Sequence, residues 1–139
     1  MYEGILLGFD FGLRRIGVAI GQTLTQQASP LKTLMAQKGR PDWTHVDKII
    51  KEWQPQAIIV GIPLNMDDTA QPLTHNARTF ALQLKSRYKL PVHGMDERLT
   101  SFEVRQSLFD QGGYRAIQKN QVDALAARII LEEWMQMNL

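Results

Sequence analysis

Three acidic residues stand in apolar company and are the candidates for chemistry. Asp10 closes the run Ile5-Leu6-Leu7-Gly8-Phe9 and is followed by Phe11. An ionised carboxylate in such surroundings needs a partner, a metal or a raised pKa. Taken alone, it also reads as an aspartate closing a turn at a strand end. Glu97 closes a second short stretch, Val92-His93-Gly94-Met95-Asp96. Alternation along a strand sends Asp96 and Glu97 to opposite faces, so at most one of them joins Asp10 directly. Asp123 lies at the edge of the last helix's apolar stripe, beside Ile130 and Trp134. Alone, it is equally an acid placed in a first helical turn by the helix dipole. Together the three are harder to dismiss. On adjacent strand ends under a packed helix they would repel strongly, and a hard divalent cation with oxygen ligands removes that difficulty.

Other chemistries fail on inventory. The chain has no Cys, so disulfides, thiolate zinc sites and cysteine nucleophiles are excluded. No G-x-x-x-x-G-K, G-x-G-x-x-G or G-x-S-x-G is present. His45, His75 and His93 are too scattered for a metal motif, and Trp43, Trp53 and Trp134 fall on helices, where core packing is the ordinary role.

The elements that must position the acids follow from periodicity. Tyr2 to Phe11 reads as a strand, Gly12 to Arg15 as a turn, Ile16 to Ile20 as a returning strand, and Leu31 to Met35 as a third after Pro30. Pro41-Asp42 opens a helix to about Trp53, with Asp42 available as N-cap. Ala57 to Ile62 is apolar on both faces and is expected in the sheet interior. A helix from about Leu73 to Tyr88, a strand from Pro91 to Glu97, and a capping-box helix from Thr100 to about Asp110 follow. The last helix spans about Asn120 to Met137. This order predicts an α/β domain with a mixed five-stranded sheet, three antiparallel strands followed by parallel additions, flanked by helices.

With 139 residues, the chain is expected to form one domain, residues 1–139. Its 44% hydrophobic and 22% charged residues fit an ordinary globular protein. No apolar run approaches the roughly 20 residues of a membrane span, and the N-terminus lacks the pattern of a secretory signal, so a cytoplasmic protein without membrane partners is expected. The net charge of +2 is small, but residues 11–41 hold Arg14, Arg15, Lys32, Lys38 and Arg40 with no acid among them. Such a stretch faces a polyanion or is simply solvated.

The motifs resemble a known family. Gly8-Phe9-Asp10-Phe11-Gly12-Leu13-Arg14-Arg15-Ile16-Gly17-Val18-Ala19, Ile59-Val60-Gly61-Ile62-Pro63-Leu64-Asn65-Met66-Asp67, Asp96-Glu97-Arg98-Leu99-Thr100-Ser101 and Val122-Asp123-Ala124 are similar to the YqgF family. Its members are small bacterial proteins of ribonuclease H-like fold, described as Holliday-junction-resolvase-like and as nucleases maturing the 5′ end of 16S ribosomal RNA precursors. The resemblance covers essentially the whole chain, including Gln111-Gly112-Gly113-Tyr114-Arg115. It implies that the family's acidic cluster falls on Asp10, Glu97 and Asp123. Leu13, Asp68, Gln121 and Ala124 depart from the family pattern, and none of them removes a carboxylate.

The expected function is therefore a metal-dependent nuclease hydrolysing phosphodiester bonds in structured RNA, with the pre-16S precursor as the substrate the resemblance implies. Asp10, Glu97 and Asp123 would serve as both catalytic and metal-binding residues for one or two Mg²⁺ or Mn²⁺ ions. Arg14, Arg15, Arg98 and Lys119 are candidates for phosphate contacts. Two alternatives stay open. Cleavage of a four-way DNA junction would favour a symmetric dimer, and a non-catalytic RNA- or transcription-complex-binding module would use the same fold. The oligomeric state is not encoded in any recognisable pattern.

Overall fold

The computed structural model describes residues 2–65, 67, 69–97 and 119–139, and of residues 119–121 the backbone alone. Nine elements follow one another among the described residues. They are β1 (Ile5–Asp10), β2 (Arg15–Gln22), β3 (Gln27–Gln37), β4 (Arg40–Pro41), α1 (Trp43–Trp53), β5 (Ala57–Ile62), α2 (Pro72–Tyr88), β6 (Val92–Asp96) and α3 (Lys119–Asn138). The strands form one sheet in the order β4-β3-β2-β1-β5-β6. β1 pairs antiparallel with β2 and parallel with β5, and β5 pairs parallel with β6. The mixed sheet has the predicted plan but six strands, not five. The additional strand, β4, is two residues long and is defined by its pairing with Ala36 and Gln37, so it carries no periodicity of its own.

The third strand also begins earlier than expected, at Gln27 rather than after Pro30. Pro30 pairs with Ala19 beside a register shift between Val18 and Ala19. A bulge is where a strand tolerates a residue without an N–H. The Thr100–Asp110 helix lies outside the described residues.

Alternation divides the core into two. Leu7, Phe9, Val18, Ile58 and Val60 face α1 and α2, where they meet Val46, Ile49, Phe80 and Leu84. Leu6, Ala19, Ala57, Ile59 and Met95 face α3, where they meet Ala127, Ile130, Leu131 and Trp134. Every residue of β5 is buried, which is why it reads as an unbroken apolar run. On the first face Phe80 is ringed by Phe9 and Phe11 at centroid distances of 5.5 and 5.3 Å. Deleting such a ring costs about 3–5 kcal/mol.

Polar groups fix the helices outside these cores. Asp42 caps α1 by accepting from the Thr44 N–H at 3.0 Å, as the sequence predicts. Asp47 on α1 receives two hydrogen bonds from Arg87, both 2.8 Å, and one from the Tyr88 hydroxyl at 2.6 Å, tying α1 to the end of α2. Hydrogen bonding from Arg87, then from Tyr88, lowers the Asp47 carboxyl to about 2. His93 packs against the Trp134 ring at 5.0 Å, with its Nε2 2.7 Å from the Tyr2 hydroxyl, and burial lowers its pKa.

Candidate active site

Asp10 is the last residue of β1, half-buried, and its register partners are Gly17 on β2 and Gly61 on β5. Residues in register share a face of a sheet. Asp10, Gly17 and Gly61 stand an even number of residues from Leu6, Ala19 and Ile59 on their strands, so they belong to the α3 face. Two glycines flanking a strand-end acid leave the surface beside it bare, and both gaps are filled by the other two acids.

Over Gly61 lies Glu97. A Cβ placed on Gly61 would sit 2.7 Å from Glu97 Oε1 and 3.2 Å from Glu97 Cγ. Glu97 leaves the end of β6, one strand beyond β5, and reaches back towards β1. Met95 faces α3 and Asp96 follows in the strand, so of the adjacent acids it is Glu97 that reaches this face. Over Gly17 lies Asp123. A Cβ on Gly17 would fall 1.9 Å from the Asp123 carbonyl oxygen, so the start of α3 rests directly on β2. Neighbouring strands stand about 4.8 Å apart, which puts Glu97 and Asp123 on either side of Asp10 at roughly one strand spacing each.

Asp123 has a second partner. Arg15 Nε donates to Asp123 Oδ2 at 2.9 Å, with the two side chains 36% and 24% exposed. A pair this open contributes at most about 1 kcal/mol after solvent screening. Among the described residues, no three His, Asp or Glu side chains are drawn closely enough together to hold a metal ion. The three acids thus lie on one face of the sheet, around the end of β1, with the Asp123 carboxylate turned to Arg15.

The candidate phosphate contacts divide. Arg14 is exposed on the β1–β2 turn, whereas Arg15 is engaged with Asp123. Lys119 begins α3, with only its backbone described, and Arg98 lies outside the described residues. Sequence reasoning missed Gly17 and Gly61 as parts of the site. Their signal was available, since glycine inside an apolar strand marks close approach of another chain segment. No helix among the described residues is long and apolar enough to cross a membrane.

Comparison with known proteins gives a consistent result. The family model described as "RuvX: Holliday junction resolvase" matches residues 4–137. A protein of Legionella pneumophila named "Putative pre-16S rRNA nuclease" is 55% identical over 136 residues, 98% of each chain. One of the same name from Klebsiella pneumoniae is 52% identical, covering 96% of this chain and 97% of the relative. Among solved structures, T. thermophilus RuvC in complex with Holliday junction substrate aligns with a TM-score of 0.58 at 16% identity, covering 98% of this chain and 97% of that one. The yeast mitochondrial Holliday junction resolvase Ydc2 aligns at 0.57 and 11% identity, covering 98% and 80%. At such identities these two similarities speak for the ribonuclease H-like fold alone. With the family model spanning nearly the whole chain and relatives above half identity, the chain belongs to the RuvX family and is a nuclease, a hydrolase of phosphodiester bonds.

Proposed function

We propose that residues 1–139 act in the cytoplasm as one metal-dependent nuclease domain on structured RNA, with ribosomal RNA precursor as substrate. Asp10, Glu97 and Asp123 are the proposed catalytic and metal-holding residues. The observation that carries this reading is the register Gly17–Asp10–Gly61, with Asp123 over the first glycine and Glu97 over the second. The donor set fits one or two Mg²⁺ or Mn²⁺ ions, because it offers hard carboxylate oxygens from a rigid sheet and one helix end. When bound, such a cation supplies Lewis-acid activation of water and neutralises charge on the phosphate.

The chain's own residues do the positioning. The pairing of β1 with β2 and β5 fixes the backbone of Asp10, and Gly17 and Gly61 admit the other two acids to the same face. Arg15 balances the charge of Asp123 and would share that carboxylate with a bound cation. Arg14, exposed on the adjoining turn, is placed to meet a phosphate on the incoming strand. The names of the relatives at 52% and 55% identity support RNA as the substrate, and the family description supports a four-way DNA junction.

The test is incubation of the purified protein and of Asp10→Asn with a 16S precursor fragment and with a four-way DNA junction, each with Mg²⁺ and Mn²⁺. Cleavage of the RNA, lost in Asp10→Asn without loss of thermal stability, is the expected result. Cutting of the junction alone replaces the substrate, and an active Asp10→Asn protein refutes the assignment of the acid. Absence of any cleavage by the unmodified protein returns it to the binding-module alternative.

A further inference from the structure

Of the exposed cations without an ion pair to a described residue, Lys48, Lys51, Arg78 and Lys85 are spread over α1 and α2, whereas three gather at one end of the sheet. Arg15, Arg87 and Arg128 are paired with Asp123, Asp47 and Glu132. Arg14, Lys38 and Arg40 are exposed and make no ion pair with a described residue. All three lie at the end of the sheet where β1 delivers Asp10, since β2 begins and β3 ends there.

Backbone contacts hold these cations in place. Gln37 pairs with Arg40, leaving Lys38 and Gly39 as a two-residue turn with φ of 52° and 80°. Both values are positive, as a tight hairpin turn of type I′ requires. The Gly39 N–H donates to the Leu13 carbonyl at 2.9 Å, and the Ala36 N–H to the Arg14 carbonyl at 2.8 Å. A Cβ on Gly39 would sit 2.7 Å from Phe11 Cζ, so the turn is pressed against the residue that follows Asp10. Ordering a phosphate contact is cheaper when its cations stand on fixed backbone.

An open groove of about 880 Å³ runs along this hairpin between Met35, Lys38, Arg40 and Asp42. Met35 is 69% exposed and is the one large exposed apolar side chain among the described residues lining it. That is too little for a protein partner, whose interface needs roughly 800 Å² per side around an apolar centre. Phosphates need only cations and donors. The acid in the groove, Asp42, is committed to capping α1 through the Thr44 N–H and hydroxyl.

We propose that the Met35–Pro41 hairpin is a docking surface for the phosphodiester backbone of the nucleic acid being cut. Lys38 and Arg40 take phosphates, and Met35 packs against a sugar or base. The proposal rests on the nuclease reading only for the direction of the strand, which leaves the acids across β2 and β3. Three strand spacings of about 4.8 Å separate β4 from β1. At about 3.4 Å per nucleotide along one strand of a duplex, the hairpin meets phosphates about four steps from the scissile bond.

The test is fluorescence anisotropy of a labelled RNA of about 20 nucleotides against salt, without divalent metal, for the protein and for Lys38→Asn/Arg40→Gln. Asparagine accepts the positive φ at position 38, so the turn is preserved. Two lost phosphate contacts should weaken binding about tenfold near 0.1 M salt and reduce the log–log salt slope by roughly 1.4. Lys51→Gln/Lys85→Gln, the same change in charge at the last turns of α1 and α2, should leave both unchanged. An unaltered slope in the hairpin variant, or an equal loss in the control, overturns the proposal. Because binding is read without cleavage, that failure is separate from failure of the nuclease reading.

Discussion

Gly17→Ala is the most informative single change in the molecule. The new Cβ would fall 1.9 Å from the Asp123 carbonyl oxygen and 2.3 Å from its carbonyl carbon. Both are backbone atoms, so no rotamer change relieves the contact. Separation to the roughly 3 Å at which real contacts begin requires the start of α3 to move by about 1 Å. Overpacking of this kind costs about 3 kcal/mol, and for a chain of this size lowers Tm by roughly 10 °C. The same displacement carries Asp123 away from Asp10, and misplacement of about 1 Å at a reacting centre costs on the order of 100-fold in rate. Gly61→Ala is the matched comparison. Its Cβ would meet Glu97 Oε1 and Ile130 Cδ1, both at 2.7 Å and both ends of side chains that can turn aside. It should cost about 1 kcal/mol while still lowering activity through Glu97. The assay is thermal unfolding of both variants beside cleavage of the RNA precursor fragment under single-turnover conditions. A Gly17→Ala protein as stable as its parent, or less damaged than Gly61→Ala, would refute the close approach of α3 to β2.

Two further outcomes follow from the ion pairs. Arg15→Gln frees the Asp123 carboxylate from a competing cation, so a Mn²⁺ titration should show affinity two- to fivefold higher, the equivalent of about 0.4–1 kcal/mol. Weaker Mn²⁺ binding would mean that Arg15 holds Asp123 in place instead. Asp47 has a folded-state pKa of about 2, below the roughly 3.9 of an unfolded aspartate. Its contribution is complete above about pH 4 and is lost as pH falls towards about pH 2. Urea unfolding of Asp47→Asn across that window should show lower stability at neutral pH and a flatter acid limb, and an unchanged limb would count against the Arg87 and Tyr88 contacts.

What was legible in the sequence was whatever each segment carries by itself. The unbroken apolar run of β5 requires cover on both faces, and it lies inside the sheet with β1 and β6 on its sides. Asp42 ahead of Trp43 is a local cap signal, and it caps. Asp10, Glu97 and Asp123 attract notice because each is an acid among apolar neighbours, a one-dimensional property, and the sheet sets them around the end of β1 on one face. Features created by pairing were not legible. β4 exists only because Gln37 and Arg40 meet across a two-residue turn. Arg15 looks like any basic turn residue until α3 brings Asp123, 108 positions later, against it. The two glycines beside Asp10 are visible as glycines, but only register makes them neighbours of one acid.

The order of the elements also imposes a schedule on synthesis. All six strands precede α3, and the apolar face formed by Leu6, Ala19, Ile59 and Met95 has Ala127, Ile130, Leu131 and Trp134 as its cover. A growing chain that has made its sheet but not residues 119–138 therefore carries two of the three acids and a bare hydrophobic surface. Such a species lacks one of the three proposed catalytic acids and is prone to self-association. Arrival of the helix sheathes that surface and delivers Asp123 in the same event. Covering of the apolar face and completion of the proposed acid cluster are thereby one step of synthesis, not two.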